Sequence, residues 1–155
     1  GKVRIYTRGL EDTTRAFPEL VEEFAQLGGR GVVDGEVLAW RGERALNFAV
    51  LQQRLARKKV DERLREEVPL VFVGYDLLYR DGELLLDAPI EARRQRLEEV
   101  FQGREGRLRV SPQRRLRELE EVEVEFAAAR ARGNEGLLLK RQGSVYEAAK
   151  RSGNW

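Results

Sequence analysis

Two long stretches of the chain have the pattern of β-strands at the centre of a sheet. Leu70 to Tyr79 is the most apolar run, and the Asp81-Gly82 pair closes it, which predicts a buried central strand followed by a turn. Gly31 to Trp40 is also rich in valine and other apolar residues, and it predicts a second strand. Shorter strands are expected at residues 2–7, 108–111 and 135–140.

Apolar residues spaced three or four positions apart predict four helices. They span residues 17–27, 47–59, 89–102 and 116–132, and a glycine follows three of them as an expected C-terminal stop. In the second helix Phe48, Leu51 and Leu55 share one apolar face. Arg54 and the other charged residues of that helix occupy the remaining faces.

Strands and helices are mixed along the chain without the strict alternation of a parallel α/β fold. This order predicts an α+β fold with largely antiparallel sheets flanked by helices. The 155 residues fit one domain and are enough to bury a hydrophobic core. We find no internal repeat and no low-complexity linker that would divide the chain.

The composition narrows the chemistry that this chain can perform. Cysteine and histidine are both absent, which excludes disulfides, thiolate metal sites, a cysteine nucleophile and the usual general base near neutral pH. Catalysis must therefore use carboxylates, lysine, arginine, a bound metal or a bound phosphate. With 41% hydrophobic and 36% charged residues, the chain is too apolar for disorder and too interrupted for a membrane span. No targeting segment is visible, so a cytoplasmic location is expected.

Asp34-Gly35-Glu36 is the first candidate site, because two carboxylates flank a glycine within an apolar strand. Side chains alternate along a strand, so Asp34 and Glu36 are expected on one face. Such a pair can bind a divalent cation or a ribose hydroxyl, and the glycine allows a ligand or another backbone to come close. The alternative is a hairpin turn with Asp-Gly at its tip.

Two further candidates lie in the predicted apolar strands. Glu135 opens the short strand that Lys140 closes, which suits a metal or substrate site, although charges at strand ends are usually solvated. Tyr75 stands next to Asp76 in the most hydrophobic strand. Its ring either stacks on a base, for about 1–3 kcal/mol, or belongs to the core, where its hydroxyl needs a hydrogen-bond partner.

A basic helix and a basic closing segment are candidates for phosphate contacts. The cations are Arg54, Arg57, Lys58 and Lys59 in the second helix, and Lys150 and Arg151 in the closing segment. Clustered cations favour phosphate binding that weakens as salt rises. Acidic neighbours at positions 61, 62, 66 and 67 support the alternative of a solvated surface of mixed charge.

The order and spacing of these motifs resemble the nucleotidyltransferase motifs of ATP-dependent DNA ligases and mRNA capping enzymes. Asp34-Gly35-Glu36 resembles the third motif of that set. Val71 to Gly82 resembles the next, in which an aromatic residue before the aspartate stacks on adenine; here it is Tyr75, where the family commonly has phenylalanine. Glu135 to Lys140 resembles the fourth motif, and Tyr146 to Trp155 resembles the approach to the fifth.

Two other segments extend the resemblance over nearly the whole chain. Tyr6 to Gly9, followed by Phe17-Pro18, resembles the segment after the first motif, and Arg8 matches its phosphate-contacting arginine. Phe48 to Lys59 resembles a ligase segment that capping enzymes do not typically show. This last likeness favours a DNA ligase.

The resemblance implies an ATP-grasp-like nucleotidyltransferase core and a role for each matching residue. It assigns Glu36 to ribose or metal contact, Tyr75 to adenine stacking and Glu135 to metal. The implied phosphate contacts, to the nucleotide or to the nick, are Arg8, Lys140, Lys150 and Arg151. The implied substrates are ATP, whose AMP is carried on a lysine, and nicked double-stranded DNA, with Mg²⁺ or Mn²⁺ as the metal.

Two features of the family's pattern are absent from the sequence. No lysine is followed by x-Asp-Gly, and the Leu-Lys-x-Lys that continues the fifth motif does not occur. We therefore expect a partial adenylation domain that is inactive alone, with the nucleophilic lysine and an oligonucleotide-binding-fold domain elsewhere in a longer parent. Alternatives with the same motifs are an mRNA capping guanylyltransferase, an RNA ligase, or a non-catalytic nucleic-acid-binding remnant of the fold.

Overall fold

The computed structural model describes residues 1–57, 59–104 and 106–148. Within them the strands are β1 (Gly31–Arg41), β2 (Arg44–Ala45), β3 (Leu70–Arg80), β4 (Glu83–Leu84) and β5 (Leu108–Val110). The helices are α1 (Pro18–Ala25), α2 (Phe48–Leu55), α3 (Glu62–Glu67), α4 (Ile90–Phe101) and α5 (Leu119–Ala131), and a 3₁₀ turn spans Thr14–Ala16. No helix in this part of the chain combines the length and apolar character that crossing a bilayer requires.

The sheet is built around one long antiparallel pair, β1 and β3. Their register runs from Gly31 opposite Arg80 to Ala39 opposite Leu70. The short strands β2 and β4 add antiparallel pairs to β1 and β3 respectively, whereas β5 runs parallel to β3. The predicted α+β fold with a largely antiparallel sheet is confirmed, and so are the two long strands expected from the apolar runs.

The hydrophobic core forms where α1 and α4 pack against β3. Leu20 of α1 and Leu97 of α4 are fully buried. The rings of Phe24, Phe72 and Phe101 meet edge to face, with centroids 5.0 to 6.3 Å apart. Such edge-to-face pairs add about 0.5–1.5 kcal/mol each beyond the burial of their area. This layer holds β3, and with it Tyr75 and Asp76, in a fixed position.

Helix α2 buries a different face from the one expected. Leu51 is buried as predicted, but Phe48 and Leu55 are 62% and 41% exposed, and Arg54 is fully buried instead. The reason lies on α1, where Glu19 is also buried and ion-pairs with Arg54. A buried carboxylate requires a cation beside it, so this requirement overrides the apolar pattern of the helix.

Three local expectations differ from the structure. Helix α3 was not expected, although Asp61 gives its start signal by accepting a hydrogen bond from the Leu64 N–H. Residues 2–7 form no strand but a single bridge, Tyr6 to Asp12. Residues 135–140 pair with no strand among the described residues. A strand persists only where its backbone groups find partners, and within residues 1–57, 59–104 and 106–148 neither segment has a second strand beside it.

Gly35 allows β1 and β3 to come close at an irregular step in their register. Asp34 lies opposite Asp76, but the next residue, Gly35, lies opposite Gly74, so Tyr75 is the extra residue of a β-bulge. A Cβ on Gly35 would clash with the Phe72 ring and the Val73 carbonyl. The glycine is therefore required by the neighbouring strand. The alternative of a hairpin turn at Asp34-Gly35 is wrong, because these residues lie within β1.

Candidate functional site

The β-bulge brings Tyr75 and Glu36 together across the two central strands. The Tyr75 hydroxyl donates a hydrogen bond to Oε2 of Glu36 at 2.5 Å. The tyrosine is half-buried, whereas Glu36 is exposed. Burial raises the pKa of Tyr75, and the hydrogen bond to Glu36 and its charge raise it further. The phenol therefore remains protonated and keeps its proton available for the carboxylate.

Asp34 makes a second link of the same kind, to the segment that follows residue 140. The Tyr146 hydroxyl donates a hydrogen bond to Oδ2 of Asp34 at 3.1 Å. Burial, and next the charge of Asp34, raise the pKa of Tyr146 to about 12. This bond fastens the segment around Tyr146 to the middle of β1, beside Glu36.

Asp76 is held by a buried arginine and is not available to a ligand. Arg93 of α4 donates from Nε to Oδ1 at 2.8 Å and from Nη2 to Oδ2 at 2.9 Å. Its Nη1 donates to the carbonyl oxygens of Ala88 and Ser144. Both side chains of the pair are 0–1% exposed. A bidentate pair of this geometry fixes the position of the β3 backbone directly beside Tyr75.

Sequence reasoning missed Arg93, although a signal was present. Ile90, Arg93, Leu97 and Phe101 are the buried residues of α4 and follow helical spacing along one face. An arginine on an otherwise apolar face indicates a buried partner, because an unpaired buried charge is costly. The Arg93 guanidinium also lies 5.9 Å from the Tyr146 ring centroid, so it contacts the Asp34 link as well.

Lys140 provides a cation beside the aromatic ring. Its Nζ lies 6.0 Å from the centroid of the Tyr75 ring, at the outer limit of a cation–π contact. Burial lowers the pKa of Lys140, while the nearby charges of Asp76 and Asp34 oppose that shift. An ammonium in this position can accompany an anionic group that binds near Tyr75.

Glu36, Tyr75 and Lys140 form one cluster, and Asp34 and Asp76 lie next to it on the same two strands. Known proteins resemble the whole chain that carries this cluster. The family described as "ATP dependent DNA ligase domain" matches residues 1–155. The chain belongs to this family.

Relatives and solved structures agree with the ligase family. The chain is 39% identical to a probable DNA ligase of Koribacter versatilis, over 99% of this chain and 31% of that protein. It resembles the ligase domain from M. tuberculosis LigD with a TM-score of 0.73 and 29% identity, over 100% of this chain and 47% of that one. It also resembles the structure described as mycobacterial DNA ligase D complexed with ATP and MES. The TM-score is 0.72 and the identity is 28%, over 99% of this chain and 46% of that one.

The chain thus spans less than a third of the length of that Koribacter relative. Its likeness to the two LigD structures covers nearly the whole chain, so the predicted nucleotidyltransferase fold is confirmed. Two of the motifs that carried the resemblance to ligases lie side by side in the sheet. Asp34-Gly35-Glu36 lies on β1, and it pairs at the β-bulge with the part of the motif from Val71 to Gly82 that lies on β3.

Two site residues expected from the ligase resemblance form no hydrogen bond or ion pair with Glu36 or Tyr75. Arg8 is exposed in the turn that follows Tyr6. Glu135 is exposed, its carbonyl oxygen accepts from Arg130, and no hydrogen bond or ion pair joins its side chain to a described residue. Of the three residues expected to line one groove, Glu36 and Tyr75 are in contact, and the roles of Glu36, Tyr75, Glu135 and Arg8 stay predictions.

One expected DNA contact needs correction, and others cannot be placed. Arg54 is fully buried against Glu19, so it cannot reach a phosphate, and its role is to compensate the charge of Glu19. Arg57 is exposed beyond the end of α2 and remains a candidate. Lys58, Lys150 and Arg151 lie outside the described residues.

Three of the described side chains have the chemistry that a nucleotide site needs. The half-buried ring of Tyr75 suits a base. The exposed carboxylate of Glu36, which accepts from the Tyr75 hydroxyl, suits a ribose, and the ammonium of Lys140 suits a phosphate. Among residues 1–57, 59–104 and 106–148 no three acidic residues are grouped as metal ligands would be. Two clefts of about 360 and 380 Å³ lie elsewhere, and neither is lined by Glu36 or Tyr75.

Proposed function

We propose that this chain is part of the catalytic domain of an ATP-dependent DNA ligase. The full-length protein would seal nicks in double-stranded DNA through a lysine-AMP intermediate and then a DNA-adenylate intermediate. The observation that carries the proposal is the contact between Tyr75 and Glu36 in a chain that belongs to the ligase family. The proposal includes a cytoplasmic location and an oligonucleotide-binding-fold domain elsewhere in the same protein.

Tyr75 and Glu36 would recognise the nucleoside. The ring of Tyr75 offers a face on which adenine stacks, and one such contact contributes about 1–3 kcal/mol. The exposed carboxylate of Glu36 accepts hydrogen bonds only, so it suits the hydroxyls of a ribose. Arg93 holds Asp76 directly beside Tyr75 on β3, and Tyr146 bonds to Asp34, two positions before Glu36 on β1.

Cations would stabilise the negative charge that builds up on phosphorus during each transfer of AMP. The Nζ of Lys140 lies 6.0 Å from the centre of the Tyr75 ring, and it would accompany a phosphate of the nucleotide. Arg8, and Lys150 beyond the described residues, are further candidates for this role. Glu135 would help to hold Mg²⁺ or Mn²⁺, which supplies positive charge at the phosphates when bound.

The full-length protein allows a direct test with radiolabelled nucleotide and nicked DNA. We expect covalent labelling by α-labelled ATP but not by GTP, followed by sealing of the nick. Glu135→Ala should severely reduce labelling or sealing, and Tyr75→Ala should weaken the affinity for ATP. Tyr79→Phe, on the same strand, is the matched control and should behave like the wild type.

Each outcome has a definite meaning. Labelling by GTP instead of ATP would replace the ligase proposal with a capping guanylyltransferase. Near-normal sealing by the Glu135→Ala protein would remove Glu135 from the site. Unchanged ATP affinity in the Tyr75→Ala protein would return Tyr75 to the core.

A further inference from the structure

The hydroxyl of Tyr75 has a use that ring stacking does not require. It lies in the plane of the ring and donates to Oε2 of Glu36, so this hydrogen bond does not itself cover a face of the ring. A phenylalanine would present the same faces without this bond. The hydroxyl therefore acts on Glu36.

Glu36 depends on Tyr75 for its position. The side chain is exposed, and among the described residues the Tyr75 hydroxyl is its hydrogen-bond partner. A glutamate loses substantial rotamer freedom when a ligand fixes it, and this loss weakens the binding. A carboxylate has about four acceptor positions, so one bond from Tyr75 orients the group while Oε1 remains able to accept another.

We infer that Tyr75 determines sugar specificity: its hydroxyl orients Glu36 to accept a hydrogen bond from a ribose hydroxyl, and this favours a ribonucleotide over a deoxyribonucleotide. The inference rests on the proposed function, because it assumes that the nucleotide binds at this cluster. Beyond the proposed function, it assigns to Tyr75 an indirect role, in which Tyr75 selects the sugar by orienting Glu36. The ring and the hydroxyl of Tyr75 then have separable roles, one towards the base and one towards the sugar.

The test compares the binding of ATP, 2′-deoxy-ATP and 3′-deoxy-ATP to the full-length protein. The proteins are the wild type, Tyr75→Phe, Glu36→Ala and the double variant. Tyr79→Phe is the control, because Tyr79 lies on the same strand and its hydroxyl bonds to no carboxylate among the described residues. Thermal unfolding of each variant checks that the fold is retained.

Tyr75→Phe should weaken ATP binding about three- to tenfold, the effect of a typical hydrogen bond. It should change the affinity for one of the two deoxynucleotides less than about twofold, and that nucleotide identifies the hydroxyl that Glu36 contacts. The preference for ATP over this deoxynucleotide should therefore fall. In the Glu36→Ala protein, adding Tyr75→Phe should have no further effect on the preference.

Three results would overturn the inference. If Tyr75→Phe weakens all three nucleotides equally, the hydroxyl does not act through the sugar, although the proposed function stands. If the preference for ATP increases, Tyr75 competes with the ribose for Glu36 instead of orienting it. If the wild-type protein binds none of the nucleotides, both the proposed function and this inference fail.

Discussion

Two fully buried arginines, Arg93 and Arg54, differ in how well the surrounding structure satisfies them. All three guanidinium nitrogens of Arg93 donate hydrogen bonds, two to Asp76 and one to carbonyl oxygens. Arg54 pairs with Glu19 through Nη2, while its Nε and Nη1 have no hydrogen-bond partner among the described residues. Oε2 of Glu19 accepts no hydrogen bond there either, and its nearest cation is Nε of Arg65 at 3.8 Å. Burial lowers the pKa of Arg54, and the charge of Glu19 opposes this.

The two arginines also differ in the elements that they connect. Arg93 joins β3, the start of α4 and the segment around Ser144, and its contact with Tyr146 reaches β1. Arg54 joins α1 and α2 and has no bond to Glu36 or Tyr75. A fully satisfied polar network specifies one arrangement of its neighbours, whereas a partly satisfied pair mainly compensates charge. We conclude that Arg93 orders the site and that Arg54 packs the helices.

The largest effect is expected from Arg93→Ala. It leaves Asp76 buried without a cation and should lower the free energy of unfolding by about 3–5 kcal/mol. Chemical denaturation would measure this loss. Arg96→Ala, on an exposed turn of the same helix, removes a surface ion pair with Glu83 and should cost about 1 kcal/mol or less. Equal losses in the two variants would contradict the role of Arg93.

Replacing both members of each buried pair should affect stability differently for the Arg54 pair and the Arg93 pair. Glu19→Leu with Arg54→Met removes a poorly satisfied pair and should be neutral or stabilising, by about 1–4 kcal/mol. Asp76→Leu with Arg93→Met should remain destabilising, because the carbonyl oxygens of Ala88 and Ser144 lose their donor. If chemical denaturation shows that both double variants change the free energy of unfolding in the same direction, the two buried pairs do not differ in the way described.

A smaller effect is expected where the Arg93 network reaches β1. Tyr146→Phe removes the hydrogen bond to Asp34 and keeps the ring that lies beside Arg93. The free energy of unfolding should fall by about 1 kcal/mol. Tyr79→Phe provides the matched control, with no change expected. If Tyr146→Phe left both stability and ATP affinity unchanged, the link to Asp34 would have no function.

A further prediction concerns the pH dependence of the same link. The folded protein holds Tyr146 at a pKa of about 12, above the value of about 10 for an unfolded tyrosine. A raised pKa favours the protonated form in the folded state, so its contribution is complete below about pH 10 and is lost as the pH rises towards 12. The wild type should therefore lose more stability over this range than the Tyr146→Phe protein. Parallel pH profiles would contradict the assignment.

The elements that were predictable from sequence are those whose pattern is local. β1, β3, α1 and α4 follow from runs and spacings within a few residues, and their ends carry the expected proline and glycine signals. The buried face of α2 was not predictable in this way. Its choice depends on Glu19, which lies 35 positions away in the chain.

The candidate site also combines features that local sequence patterns predict with features that depend on residues distant in the chain. Glu36 and Tyr75 were predicted as site residues from their motifs, but the hydrogen bond between them depends on a one-residue β-bulge that no local pattern indicates. Arg93 was missed because its partner Asp76 was considered only as part of a strand. The expected strand from Glu135 to Lys140 depends equally on a neighbour, and no strand pairs with it among the described residues.

The central claim is that Tyr75 and Glu36 bind the adenosine part of ATP. A crystal structure of the full-length protein with ATP tests it most directly. We predict that the adenine ring stacks on Tyr75 and that a ribose hydroxyl donates to Glu36, while the Tyr75 hydroxyl keeps its bond to that carboxylate. A nucleotide bound on another face of the domain, with Tyr75 and Glu36 exposed to solvent, would contradict the account.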